Sequence, residues 1–232
     1  MPIRNTVIIV ASPRPRVGKT LLARLSIEFH RHEEREAQGF DLSNGGEGGL
    51  AQFLPDRAKV AAVGDIKGQM ALFDRLIEDD GVHKVVDVGH ESFAIFFSIA
   101  NEIDFAREAM RRGIAPAVLF IMTPDKNAAD AFAALRARLP SGVLTPVDNE
   151  MLDSPRERGR YPRLGTGAAT LHVPALAPGL RRLIDTPPFS FAGIGATPGG
   201  LEGWLRRIFL EFREFHLRLL LADLGSSFDL AP

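Results

Sequence analysis

Lys19 and Thr20 follow Gly18 between a short β-branched run and an amphipathic stretch, and together the three are the residue types that hold a polyphosphate. Backbone N–H groups at a helix N-terminus point toward an anion, and the helix dipole favours it there. Glycine lets the backbone approach closely, a lysine ammonium sets a point charge against the β- and γ-phosphates, and a threonine hydroxyl can ligate Mg²⁺. Arg16, Val17, Gly18, Lys19, Thr20 and Leu21 are therefore expected to cradle a triphosphate, with ATP and Mg²⁺ as the expected cofactors. The chain holds 28 basic residues, and only Lys19, Lys59, Lys67, Lys84 and Lys126 are lysines. A lysine kept at this turn carries corresponding weight. The common pattern has a glycine five residues before Gly18, where this sequence has Pro13. A helix preceded by a chance Gly-Lys-Thr triplet is the plainer alternative.

A second candidate stands at the end of Val85-Val86-Asp87-Val88-Gly89. An acid closing an otherwise apolar strand lies where open α/β sheets bind ligands, and it can support a Mg²⁺ ion. The alternative is an aspartate that only caps the next turn. His90 follows, and a histidine after a strand is usually a loop residue.

The segment Arg14-Pro15-Arg16-Val17-Gly18-Lys19-Thr20 resembles the phosphate loop of the MinD/ParA ATPases, Lys-Gly-Gly-x-Gly-Lys-Thr/Ser. The resemblance covers roughly residues 1–175. It implies a parallel-sheet P-loop fold, ATP with Mg²⁺, slow attack of water on the γ-phosphate, and a homodimer closed around two nucleotides. Arg14 occupies the slot of the family's first lysine, which reaches the partner's nucleotide, and an arginine there can bind phosphate bidentately. Lys19, Arg14 and Asp41 are then the catalytic candidates, and Thr20, Asp87 and Asp41 the metal candidates. Asp41-Leu42-Ser43 falls on the family's Asp-x-Asp, so Ser43 replaces the acid that orients the attacking water, and serine is a poor general base. Asn149 and Pro174 stand where the family lines its base pocket. Pro15 and Arg16 replace family glycines. Pro15 has no N–H, and neither side chain favours positive φ, so the loop is expected to take a different path. Ile184-Asp185-Thr186-Pro187-Pro188 looks like a family switch but comes too late in the chain, and reads as a turn.

The elements that must position these residues alternate. Val7–Ala11 reads as a buried strand and Thr20–His32 as a helix with an apolar stripe. A strand ends at Phe40-Asp41, and Ser43–Gly49 is a Gly-rich loop. Val60–Val63, Val85–Val88, Ala117–Met122, Val143–Val147 and Leu171–Val173 read as further strands. Met70–Ile77, Ser92–Arg112 (broken near 102–104) and Ala128–Leu139 read as helices. The expected fold is α/β, a mostly parallel sheet with helices on both faces, in one domain over 1–232. Residues 201–224 are expected to form an amphipathic helix that packs on the sheet, with dimerisation or membrane attachment as alternatives.

Composition narrows the function classes. With 45% apolar residues and a formal net charge of −1, the chain has an ordinary globular balance and no global basic field for DNA or anionic membrane. It has no cysteine, which excludes disulfides, thiolate metal sites and cysteine nucleophiles. No run suits an export signal or membrane span, so the cytoplasm is the expected location. The arginines at 156, 158, 160 and 163 read as a solvated loop. The leading reading is a nucleotide-dependent switch with an unidentified protein partner or cargo. A biosynthetic ligase of the same superfamily (dethiobiotin-synthetase-like or amide-forming) and a non-hydrolysing interaction module are the alternatives.

Overall fold

The computed structural model describes residues 5–43, 48–152, 169–191 and 200–228, with side chains as far as residue 221. Strands β1 (Asn5–Ala11), β2 (Ala37–Asp41), β3 (Ala58–Val60), β4 (His83–Asp87), β5 (Ile114–Ile121), β6 (Leu144–Asn149) and β7 (Leu171–Val173) form a single sheet in the order β3-β2-β4-β1-β5-β6-β7. Every pairing is parallel. Between them run helices α1 (Lys19–His32), α2 (Leu50–Phe53), α3 (Ile66–Leu76), α4 (Phe93–Glu102), α5 (Phe105–Arg111) and α6 (Lys126–Arg138), with α7 (Pro178–Ile184) and α8 (Leu201–Phe228) after β7.

A parallel strand covered on both faces must be apolar on both, because its side chains alternate with period two. β1 and β5 obey this residue by residue. Ile8, Val10, Ala117, Leu119 and Ile121 pack with α1, α2 and α8, whereas Val7, Ile9, Ala11, Val118 and Phe120 pack with α3, α4, α5 and α6. Helices therefore cover both faces, as the alternating pattern predicts. The long C-terminal helix packs as expected: Leu201, Trp204, Ile208, Phe212 and Phe215 are all buried against the first of these cores. Trp204 Nε1 donates to the Pro174 carbonyl at 2.7 Å, satisfying the one polar atom of a buried indole.

The helical run 92–112 is interrupted as expected, at Ile103–Asp104, where Asp104 takes φ 49°. Elsewhere tertiary context moved the boundaries. β3 covers 58–60 rather than 60–63: it is an edge strand held only by β2, and Val60 is exposed. α2 is a single turn, too short to leave a periodic signature. The segment 185–188 is a turn after α7, as read. The arginine-rich loop 156–163 lies outside the described residues. Among the described residues no helix is long and apolar enough to cross a membrane.

Candidate phosphate and metal site

β1 ends at Ala11, and the chain turns through 12–18 into α1. Gly18 is the N-cap, at φ 88°, and offers no side chain to the first helical turn. The N–H groups of Lys19, Thr20 and Leu21 accordingly have neither an intrahelical acceptor nor a side-chain cap, and make a donor cluster at the positive end of the helix dipole. Gly18 is required for a second reason. A Cβ built there would lie 2.6 Å from the Asn149 side-chain nitrogen.

Arg16 adopts φ 57°. The expectation that an arginine there would avoid the left-handed region is thereby corrected: its side chain is exposed, so the cost is the local steric one alone, of order 1–2 kcal/mol. Pro15 still contributes no N–H.

Lys19 is buried, and its Nζ donates to the Arg14 carbonyl at 2.6 Å. The ammonium thus spans the loop from inside. Burial lowers its pKa, while the nearby Asp87 carboxylate acts to raise it. The Thr20 hydroxyl donates to Asp87 Oδ2 at 2.7 Å, joining the N-terminus of α1 to the C-terminal end of β4. Asp87 is buried, and burial pushes its carboxyl up to about 6, against the lowering effect of the Thr20 hydrogen bond. Asp41 adds to the rise and Lys19 opposes it.

Asp41 is the register partner of Asp87 on the neighbouring strand, so the two acids sit side by side at the same edge of the sheet. Asp41 Oδ1 accepts from the Ser43 amide at 2.9 Å and the Ser43 hydroxyl at 2.5 Å, and Oδ2 accepts from Ala51 N at 3.0 Å. These bonds hold the end of β2 against the start of α2. Gly49 makes the approach possible, since a Cβ there would fall 2.4 Å from Asp41 Oδ2. The loops after β2 and β4 are equally close. Ser92 Oγ donates to Leu42 O at 2.8 Å, and a Cβ on Gly89 would lie 2.6 Å from the same oxygen.

Thr20, Asp87 and Asp41 therefore gather at one edge beside the N-terminus of α1. Their hydroxyl and carboxylate oxygens are the hard donors that suit Mg²⁺. Val17 is buried beneath the loop and Leu21 is half-buried. Asn149 arrives at the same loop, but its amide serves the backbone: Nδ2 donates to Val17 O at 3.0 Å, and Oδ1 accepts from Met151 N at 3.2 Å. Pro174 is tied to Trp204 of α8 through its carbonyl. Arg14 projects outward, half exposed, with Nε 3.5 Å from Asp125 Oδ2. His90 is exposed.

Two participants were not legible beforehand. Asp125 caps α6 through Ala128 N at 3.1 Å while facing Arg14. Arg24, buried on α1, lies 3.8 Å from the centroid of Phe53 and donates to Ile184 O at 2.8 Å and Phe189 O at 3.3 Å. It clamps the segment after α7 onto the helix that carries the phosphate loop. A cation two turns into an amphipathic helix reads as a surface residue until the covering segment is known. For Asp125, the one available signal was its place after β5, where helix caps fall.

No family model matches the sequence, and no curated protein matches it. Among solved structures the chain is similar to the MinC:MinD cell division protein complex of Aquifex aeolicus, with 16% identity, 62% of this chain and 68% of that one covered, and a TM-score of 0.42.

Proposed function

We propose that this protein binds ATP with Mg²⁺ in the loop Ser12–Thr20 and acts as a slow, nucleotide-dependent switch. The observation that carries the reading is the 2.7 Å hydrogen bond from Thr20 to Asp87. It places a helix-N-terminal hydroxyl and a buried strand-end carboxylate on one point, beside uncapped amides and a buried lysine. Lys19 would leave the Arg14 carbonyl for the β- and γ-phosphates, and Arg16 to Leu21 would supply backbone donors. Thr20 and Asp87 would hold the metal, with Asp41 behind them. Bound Mg²⁺ would supply charge neutralisation on the phosphate oxygens. Adenine recognition by Asn149 and Pro174 would require Asn149 to leave Val17.

Hydrolysis is proposed to be slow because of what Ser43 does. Its hydroxyl proton already goes to Asp41, and serine is a poor base for an attacking water. Removing a general base typically costs ~10²–10⁴-fold in rate. A homodimer closed by Arg14 is part of the same reading, supported by the outward course of that side chain and its weak tether to Asp125.

Calorimetric titration with ATP, ADP and GTP, each with and without Mg²⁺, tests the assignment. Mg²⁺-dependent ATP binding that disappears in Asp87→Asn is the expected result. Identical heats with and without metal would remove Thr20 and Asp87 from the site. Sedimentation with a non-hydrolysable ATP analogue should give a larger species that Arg14→Ala abolishes. One mass with and without nucleotide would leave a monomeric binder or a constitutive dimer.

A further inference from the structure

On the face of the sheet away from α1, a cavity of about 340 Å³ opens between the α4–α5 pair and α6. Ile9 and Val118 form its floor, and Phe93, Phe97 and Phe105 one wall. The opposite wall on α6 presents Ala131 and Ala134, whose small side chains leave the space unfilled. The cleft is open to solvent: Ala94, Ser98, Asn101, Ala134 and Arg138 along it are exposed, while Ile9, Val118, Phe97 and Phe105 behind them are buried. The volume falls at the lower end of the range for small-molecule sites, which are mostly apolar with a few polar groups at fixed places.

The polar residues lining it are Ser98, Asn101, Asp104 and Arg138, and the two charged ones differ in their pairing. Asp104 lines the cavity, but its carboxylate is engaged by Arg107 at 3.1 Å. Arg111 and Arg112 are both paired with Glu108. Arg138 also lines the cavity, and among the described residues it has neither an ion pair nor a hydrogen bond. A basic residue in the last turn of a helix is ordinary, and Arg136 alone would meet that need on α6. Arg138 differs because it stands over an apolar cleft. The helix break at Ile103–Asp104, with Asp104 in the left-handed region, borders the same cleft. An uninterrupted helix over 92–112 would not turn there.

We propose that this cleft binds a small amphipathic monocarboxylate, its apolar tail against Phe93, Phe97 and Phe105 and its carboxylate on the Arg138 guanidinium. At roughly 30 Å³ for each small group, a tail of about ten carbons fills the space. Arginine matches a carboxylate in a planar fork, whereas a cationic head would meet the guanidinium with like charge. This site shares no side chain with the phosphate loop, so it stands or falls independently of nucleotide binding.

Calorimetry on the whole chain with decanoate, decanol and decyltrimethylammonium tests it. Decanoate should bind saturably, one per chain. Decanol should bind about two- to fivefold more weakly, and the ammonium weaker still, because an ion pair with an exposed guanidinium is worth about that factor. Arg138→Gln, a change at an exposed position, should bring decanoate down to the level of decanol. Ala131→Phe should fill the cavity and abolish binding of all three, with a thermal melt confirming that it folds. If Ala131→Phe does not fold, Arg138→Gln decides alone. Equal affinity for the three heads, no saturable decanoate binding, or an unchanged decanoate affinity in Arg138→Gln would each overturn the proposal.

Discussion

The two ends of the sheet bury polar groups in opposite ways. At the C-terminal edge Thr20 donates to Asp87, Ser43 donates to Asp41 and Lys19 donates to the Arg14 carbonyl, so each of these donors has an acceptor. At the N-terminal edge, three histidines meet under α1 and α8. His30 and His83 stack with ring centroids 4.0 Å apart, and His216 meets His30 edge-on at 5.0 Å. His83 Nδ1 accepts from Thr6 N at 3.1 Å, and His216 Nδ1 donates to Phe212 O at 2.9 Å. Both ring nitrogens of His30 and Nε2 of His216 are buried with no hydrogen-bond partner among the described residues. Burial depresses all three pKa values, His83 to about 4, and charge on His216, Arg35 and Lys84 pushes the same way for His83. For His216 the Phe212 carbonyl and Glu33 partly oppose the fall. A ring of neutral imidazoles is tolerated because losing its protons is cheap near neutral pH, while buried carboxylates need donors. One edge ties its buried oxygens and lysine into direct hydrogen bonds, while the histidine cluster at the other stays neutral beside the buried Lys84, whose charge is paired with Asp80.

Lys19→Ala should break the first half of that contrast most completely. The expected loss of ATP affinity is ~100-fold or more, since the lysine is the one side-chain cation inside the loop. Calorimetry on the folded variant checks it, and affinity equal to the parent's would sink the phosphate-loop assignment.

Acid titration separates the edges next. The histidines' folded pKa values lie below the unfolded value of about 6.5, so below that pH the unfolded chain takes up protons that the folded chain refuses. Stability is therefore full above about 6.5 and falls as pH drops. The slope approaches ~1.4 kcal/mol per pH unit for each histidine, and His83 stops contributing near its folded value of about 4. Urea melts from pH 7 to pH 4 measure this. Asp87, whose folded carboxyl is raised to about 6, offsets one histidine between about pH 6 and 4, so a net loss of stability remains expected. A profile that is flat already from about pH 7 to 6 and stays so would mean that the rings are not neutral and buried as described.

His30→Leu sharpens the point. It removes two unpartnered nitrogens at similar volume, so it should raise stability at pH 7 by about 1 kcal/mol and flatten the acid limb, while ATP affinity stays unchanged. A destabilised variant would reveal a hidden partner for the ring.

The smallest expected effect is at the charged edge. Arg16→Gly relieves the left-handed backbone of its Cβ and should stabilise by up to about 1 kcal/mol, less what the freer unfolded chain takes back. Denaturation midpoints with matched slopes decide it. A lower midpoint would show that the Arg16 side chain makes a contact outweighing its backbone strain.

The amino-acid sequence by itself determined the alternation of strands and helices, because burial on both faces demands near-continuous apolar runs such as Val7–Ala11 and Ala117–Ile121. It also marked Gly18-Lys19-Thr20 and Asp87, since a strand-turn-helix junction and a lone acid closing an apolar strand are local signatures that need no knowledge of neighbours. Strand order was beyond it. Nothing local says that β4 lies between β2 and β1, and that adjacency is what brings Asp41 beside Asp87 and Thr20 onto Asp87. Only the tertiary structure gave Asn149 the Val17 carbonyl, Arg24 its aromatic cover and the three histidines one another. Each of those partners lies far along the chain, Asn149 and Val17 being 132 positions apart, so the contact exists only once the sheet has closed over it. The left-handed turn at Arg16 was decided in the same way: local preference opposes it, and the surrounding loop and helix outweigh a cost of order 1–2 kcal/mol.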